Sequence, residues 1–187
     1  MTSAERLRFA AFCAYIASWL VLAIAAAISA IPRRQRQPQA IRITTPVAVG
    51  VLLQTASVCL ITFTIGEGPL RPRPFELIGA LALAPLAAAL FVWALRSIRR
   101  HADADALLTT GAYRWLRHPI YLAFLAMLLA TGLLASSGIK LIGAAILYLA
   151  GSELRIASEE ADLASKFPSA YALYRQRTRW RYLPGLR

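Results

Sequence analysis

Five long apolar stretches organise this 187-residue chain, and a helix needs about 20 such residues to cross roughly 30 Å of hydrocarbon. Phe9 to Ile31 carries no charge and ends at Pro32, and Pro46 to Ile65 ends in the Gly66-Glu67-Gly68-Pro69 turn. Phe75 to Leu95 has Glu76 at its rim and Pro85 in its middle, where the missing N–H predicts a kink. Ile120 to Ala135 is shorter, and Ser136-Ser137-Gly138 turns it into a fifth run from Ile139 to about Ser152, so the last two form a helical hairpin. The expected fold is all-α: a polytopic integral membrane protein of about five transmembrane helices, with a C-terminal helical hairpin and a cytoplasmic tail. At 58% hydrophobic residues the chain is too apolar for an ordinary soluble domain. The first run, preceded by Arg6 and Arg8, is too long for a signal peptide and lacks an evident small-residue cleavage site, so it reads as a retained span.

The net charge of +12 would suggest nucleic acid in a soluble protein. Here the charge lies between apolar runs, where basic loops face anionic cytoplasmic lipid, and a nucleic-acid partner is not expected. With five spans, the first loop, the third loop and the tail share one side. That side holds sixteen Lys and Arg, including Arg33, Arg34, Arg36 and Arg42 in the first loop, against five on the other, Arg6, Arg8, Arg71, Arg73 and Lys140. The richer side is cytoplasmic, so the N-terminus is expected outside and the C-terminus inside. Cys13 and Cys59 sit within apolar runs as small hydrophobes, and with only His101 and His118 no histidine-rich metal site is expected. The chain divides into three spans over 1–95 and a chemistry-bearing region over 96–187, within one membrane domain.

The fifth helix is expected to run past the membrane. No breaker interrupts Gly151 to Phe167, and Pro168 supplies the stop. The emerging end carries Glu153, Glu159, Glu160 and Asp162. The tail interleaves Tyr171, Tyr174, Trp180 and Tyr182 with arginines, which suits an interfacial anchor, a lid over a ligand, or both. Arg96 to Gly111 reads as a polar loop with room for a short interfacial helix.

Two segments could carry chemistry, Leu108 to Tyr121 and Arg155 to Tyr174, and the hairpin would bring them together at the cytoplasmic face. Pro119 suits the first turn of a helix, which puts His118 at its N-terminus. Free N–H groups there favour an anion such as an amino-acid carboxylate, while the plainer reading makes His118 a cap and Arg117 a lipid anchor. Glu159 and Glu160 point about 100° apart on a helix, so they are not expected to face one partner. Either carboxylate could meet ribose hydroxyls or a cationic ligand, or could be a solvated surface. Arg155 and Glu159 form an i,i+4 pair. An anion-binding helix start, a carboxylate helix and aromatic residues together suit a zwitterionic nucleotide such as S-adenosylmethionine. Gly66-x-Gly68 precedes Pro69 and is no phosphate loop.

Gly111, Tyr113, Arg117, His118, Pro119 and Tyr121, followed by Glu159, Glu160, Leu163, Phe167, Tyr171, Tyr174 and Arg177, resemble the isoprenylcysteine carboxyl methyltransferase family, related to membrane phospholipid methyltransferases. The resemblance spans about 75 residues and departs at Ala123, where the family has Gly, and at Thr178-Arg179, where it often has Val-Pro. It implies an S-adenosylmethionine cofactor held between hairpin and tail. His118 and Tyr121 would contact the amino-acid part and Glu159 or Glu160 the ribose or sulfonium end, with Tyr171 and Tyr174 closing the pocket and Tyr113 a further cofactor-binding residue. Arg117 and Arg155 would be catalytic by orienting an acceptor carboxylate, since a guanidinium matches its geometry. The implied activity is methyl transfer to a lipophilic acceptor, foremost a prenylcysteine-like carboxylate. A phospholipid amine or a small thiol remains an alternative acceptor, and a non-catalytic membrane scaffold an alternative role. A transporter is disfavoured because no span has a clear charge at its centre.

Overall fold

A computed structural model describes residues 3–30, 44–65, 72–101, 106–135 and 138–182. Pro32, the first-loop arginines Arg33, Arg34, Arg36 and Arg42, the Gly66-Glu67-Gly68-Pro69 turn, Arg71, Ser136, Ser137, Arg187 and the side chain of Arg8 lie outside the described residues. The rest is helical: α1 (Ser3–Ala30), α2 (Thr45–Ile65), α3 (Pro74–His101), α4 (Pro119–Leu134), α5 (Ile139–Lys166) and α6 (Pro168–Arg177), with a 3₁₀ turn at Gly111–Arg114 and no strand among the described residues.

Three of these helices are long and apolar enough to cross a membrane, over Thr45–Phe63, Pro74–His101 and Ile139–Lys166, whereas Phe12–Ala25 and Pro119–Leu134 are shorter apolar stretches. At about 1.5 Å per residue, the 16 residues of α4 reach about 24 Å, less than the hydrocarbon thickness. Large apolar side chains face outward on every long helix, among them Leu52 and Phe63 on α2, Leu86 and Trp93 on α3, and Ile142 and Ile146 on α5. A surface this greasy is stable in lipid and not in water.

The helices do not pack in simple chain order. α3 lies between α1 and α4, and α5 packs most extensively on α2 rather than on α4. Small side chains explain both choices. Ala80, Ala84, Ala87 and Ala88 of α3 meet Ala123, Met127 and Ala130 of α4 in one buried cluster that also takes Leu22 of α1. Without a hydrophobic drive between helices in lipid, such stripes allow the close approach that dispersion requires. On the other side, a Cβ added to Gly151 of α5 would lie 2.5 Å from the Gly50 carbonyl of α2, so only glycine admits that contact.

Two boundaries differ from the sequence reading. α3 continues unbroken through Pro85 and beyond Leu95 to His101, since Arg96 to His101 hold three strong helix formers, Arg96, Arg99 and Arg100, and no Gly or Pro. The short helix near the third loop falls at Gly111–Arg114, after the expected polar stretch. α5 does extend to Lys166, with Phe167 as its cap, but Pro168 also opens α6, because proline is as suited to a first turn as it is unsuited to an interior.

Candidate active site

The polar residues gather where the start of α4, the last turns of α5 and the segment after α6 meet. Gly111 begins the approach: its φ of +64° and the Ser97 side chain packed against its Cα both exclude a Cβ. Ser97 Oγ accepts from the Ala112 N–H at 3.2 Å, which fixes the 3₁₀ turn to α3. Pro119 then occupies the first turn of α4 and His118 its N-cap position. The segment after α6 docks beside it. The Arg117 N–H donates to the Trp180 carbonyl at 3.0 Å and the His118 N–H to the Arg181 carbonyl at 2.7 Å.

Glu159 and Glu160 both reach His118, contrary to the expectation that they face different partners. Nδ1 lies 3.4 Å from Glu159 Oε2 and Nε2 lies 3.4 Å from Glu160 Oε1. The 100° between neighbours on a helix separates two carboxylates that straddle the ring rather than sending one away. Burial disfavours the imidazolium, but hydrogen bonds to Glu159 and Glu160 and their negative charges outweigh it, and the His118 pKa is raised.

The two glutamates have different surroundings. Glu160 is buried and binds Arg117 Nε at 2.9 Å through Oε1 and Arg181 Nη2 at 3.2 Å through Oε2. Arg117, equally buried, also donates from Nη1 to the carbonyls of Thr178 at 2.8 Å and Arg179 at 2.9 Å. Arg181 Nη1 and the Tyr182 hydroxyl bind Glu153 at 2.7 Å and 2.8 Å. Glu159 is half exposed and accepts from the Tyr121 hydroxyl at 2.5 Å. Arg155 stands 3.9 Å from Glu159, with its guanidinium 5.3 Å from the Tyr121 ring centroid. Its Nε is buried without a hydrogen-bond partner.

Beside this network lies a cavity of about 730 Å³, within the usual range of small-molecule sites. Its lining combines polar groups, Tyr113, Arg117, His118, Tyr121, Arg155, Glu159 and Tyr174, with apolar ones, among them Val51, Val58, Cys59, Ile120 and Phe124. Seven of the nine site residues read from the sequence therefore border one space. Glu160 stands behind it, and Tyr171 packs buried in α6 beside Tyr174. Burial, with the charge of Glu159, raises the Tyr113 phenol, and burial together with Glu160 pushes Tyr171 up to about 12. Both are neutral at pH 7, and the Tyr171 hydroxyl is buried without a hydrogen-bond partner. Tyr174 donates to the Tyr113 carbonyl at 2.6 Å, so α6 closes over the 3₁₀ turn. Trp180 faces outward while Tyr171, Tyr174 and Tyr182 are buried, which divides the tail aromatics between surface and core.

Gln54 escaped the sequence reading. It borders the cavity from α2 and accepts from Arg155 Nη1 at 2.7 Å. The signal was present: it is the only amide or charged side chain in the 21 residues of α2.

The donor set fits S-adenosylmethionine. A half-exposed carboxylate, three buried phenols and a helix start share a cavity with a guanidinium whose Nε lacks a partner. The model of the Isoprenylcysteine carboxyl methyltransferase family matches residues 77–165. Among curated proteins nothing matches.

Proposed function

We propose that this chain is a membrane enzyme of the isoprenylcysteine carboxyl methyltransferase family, whose model matches residues 77–165, and that it moves a methyl group from S-adenosylmethionine to the carboxylate of a lipophilic, prenylcysteine-like acceptor. The observation that carries this reading is one cavity lined both by a guanidinium and a carboxylate, Arg155 and Glu159, and by apolar side chains from α2 and α4. The apolar lining would take the acceptor's tail and the charged groups its head.

His118, Tyr121 and Glu159 would hold the cofactor, with Tyr113 and Tyr174 closing over it. When bound, S-adenosylmethionine supplies a methyl group activated by a sulfonium. Arg155 would orient the acceptor carboxylate. Of the two arginines it is the better suited, because Arg117 is already committed to Glu160 and two tail carbonyls. Transfer of that methyl to a carboxylate oxygen would leave the sulfonium as a neutral thioether, with His118, Tyr121 and Glu159 holding the donor and Arg155 the acceptor. No proton moves, so the chain need supply no general base. Its contribution is alignment and proximity, which in well-oriented reactions supply about 7–11 kcal/mol of the barrier. Tyr171 and Glu160 would act from behind by fixing the tail and His118.

We place 1–95 as three supporting spans and 96–187 as the methyltransferase region, in five spans with α4 and α5 as a hairpin. The N-terminus would lie outside, and the site and C-terminus in the cytoplasm. The excess of Lys and Arg on the side of the third loop and the tail supports that orientation.

The test is incubation of detergent-solubilised protein with labelled S-adenosylmethionine and a panel: an N-acetyl-S-farnesylcysteine probe, its methyl ester, a phospholipid amine and a small thiol. Label is expected in the free carboxylate alone. Label in the amine or thiol instead would replace the acceptor. No S-adenosylhomocysteine binding by folded protein would remove the enzyme reading and leave the scaffold.

A further inference from the structure

Arg155 lines the cavity and is also tied across the helix interface. It extends from α5 towards α2, where Gln54 Oε1 accepts from its Nη1 at 2.7 Å. The amide orientation is set by a one-directional chain. Ser152 Oγ donates to the Tyr148 carbonyl at 2.8 Å, so it must accept from Gln54 Nε2, which lies 2.9 Å away. That leaves the Gln54 carbonyl, and not its N–H, facing the guanidinium. The Gly50–Gly151 contact lies one turn away and brings α2 close enough for this bond, since a Cβ on Gly50 would meet both the Gly151 carbonyl and Arg155 Cγ at 2.7 Å.

We infer that Gln54 is a positioning residue: its neutral carbonyl holds the Arg155 guanidinium beside the cavity while leaving that cation's charge available to an anionic acceptor. This rests on the reading of the cavity as an acceptor site. A glutamate at position 54 would accept the same hydrogen bond but would neutralise the guanidinium. Arg155 already has Glu159 at 3.9 Å, and that carboxylate is shared with His118 and Tyr121. A second carboxylate at bonding distance would leave no net charge for an incoming carboxylate. Position 54 lies upstream of the segment that matches the family, so the inference concerns a wall that this chain builds from its own N-terminal half.

The experiment measures binding of the N-acetyl-S-farnesylcysteine probe, of its uncharged methyl ester, and of S-adenosylhomocysteine to the full chain in nanodiscs, with the thermal midpoint as a check on folding. In Gln54→Glu the carboxylate probe is expected to weaken at least tenfold, as losing a charge-assisted hydrogen bond implies. The ester, S-adenosylhomocysteine and the midpoint should stay within twofold or a few degrees of wild type. Gln54→Ala should fall between, because the charge remains but its direction is lost. A purely structural Gln54 predicts the reverse order, with glutamate equal to wild type, and that result overturns the inference. Equal weakening of probe and ester also overturns it. Should Gln54→Glu fail to fold, Ser152→Ala frees the amide without new charge and should lower the carboxylate-to-ester preference, and an unchanged preference refutes the role. If wild type binds neither probe nor S-adenosylhomocysteine, the cavity reading itself falls and this inference with it.

Discussion

Replacing Glu160 with glutamine should release the tail rather than merely weaken it. Glu160 and Arg117 are paired at 2.9 Å with side chains 9% and 3% exposed, so the substitution leaves a buried guanidinium without its counter-ion. Breaking a buried pair from one side costs about 3–5 kcal/mol. The same carboxylate also binds Arg181 at 3.2 Å, which ties residues after α6 to α5. The lower figure already corresponds to about a hundredfold shift between docked and undocked tail, at roughly 1.4 kcal/mol per factor of ten. Limited trypsin digestion reads that equilibrium directly. The bonds after Arg179 and Arg181 are shielded while docked, because their carbonyls accept from Arg117 Nη1 and the His118 N–H. Cleavage at these two sites should accelerate about a hundredfold in Glu160→Gln, where opening and closing are fast relative to cleavage, while cleavage after Arg175, on the exposed face of α6, should change far less. Equal rates for wild type and variant at Arg179 and Arg181 would refute the account of the tail as a strap held by Glu160.

The raised His118 pKa gives a pH dependence with a definite sign. The charged ring is favoured in the fold, so its contribution is complete below the ordinary value of 6.5 and is lost as pH rises through the raised value. Thermal midpoints across pH 6–9 should fall for wild type and flatten for His118→Asn. Gly151→Ala should force α2 from α5 against the Gly50 carbonyl and destabilise by about 1–3 kcal/mol, measured by denaturant unfolding in detergent. Arg155→Lys retains charge but loses the planar fork, so KM for the carboxylate acceptor should rise several-fold while S-adenosylhomocysteine affinity holds.

The membrane character and the later boundaries were legible because they rest on local signals. Hydropathy alone marks α2, α3 and α5, and Pro119 and Pro168 each fix a helix start. His118 and Tyr121 were legible because they sit in a short motif at such a start. The partners were not. Nothing in local spacing says that α5 prefers α2 to α4, since that choice depends on Gly50 and Gly151 meeting across 101 residues of sequence. The straddling of His118 was misjudged from a correct helical angle, because an angle between two side chains does not say where a third group will sit. Gln54 was visible as a lone amide in an apolar helix but had no meaning until Arg155 was placed opposite it.

Adjacent carboxylates with opposite duties suggest how this small fold keeps a polar site open at a lipid boundary. A single acidic residue beside His118 would have to both anchor the tail and meet a ligand, and a carboxylate already bound by two guanidiniums has little left to offer. Dividing the work leaves Glu160 saturated by Arg117 and Arg181, and Glu159 with an exposed flank on the cavity. The saturated member fixes the imidazole from one side, so the other carboxylate meets a ring whose position is already set. The cavity therefore has one wall, the His118 ring, whose position is set by a carboxylate that does not line it.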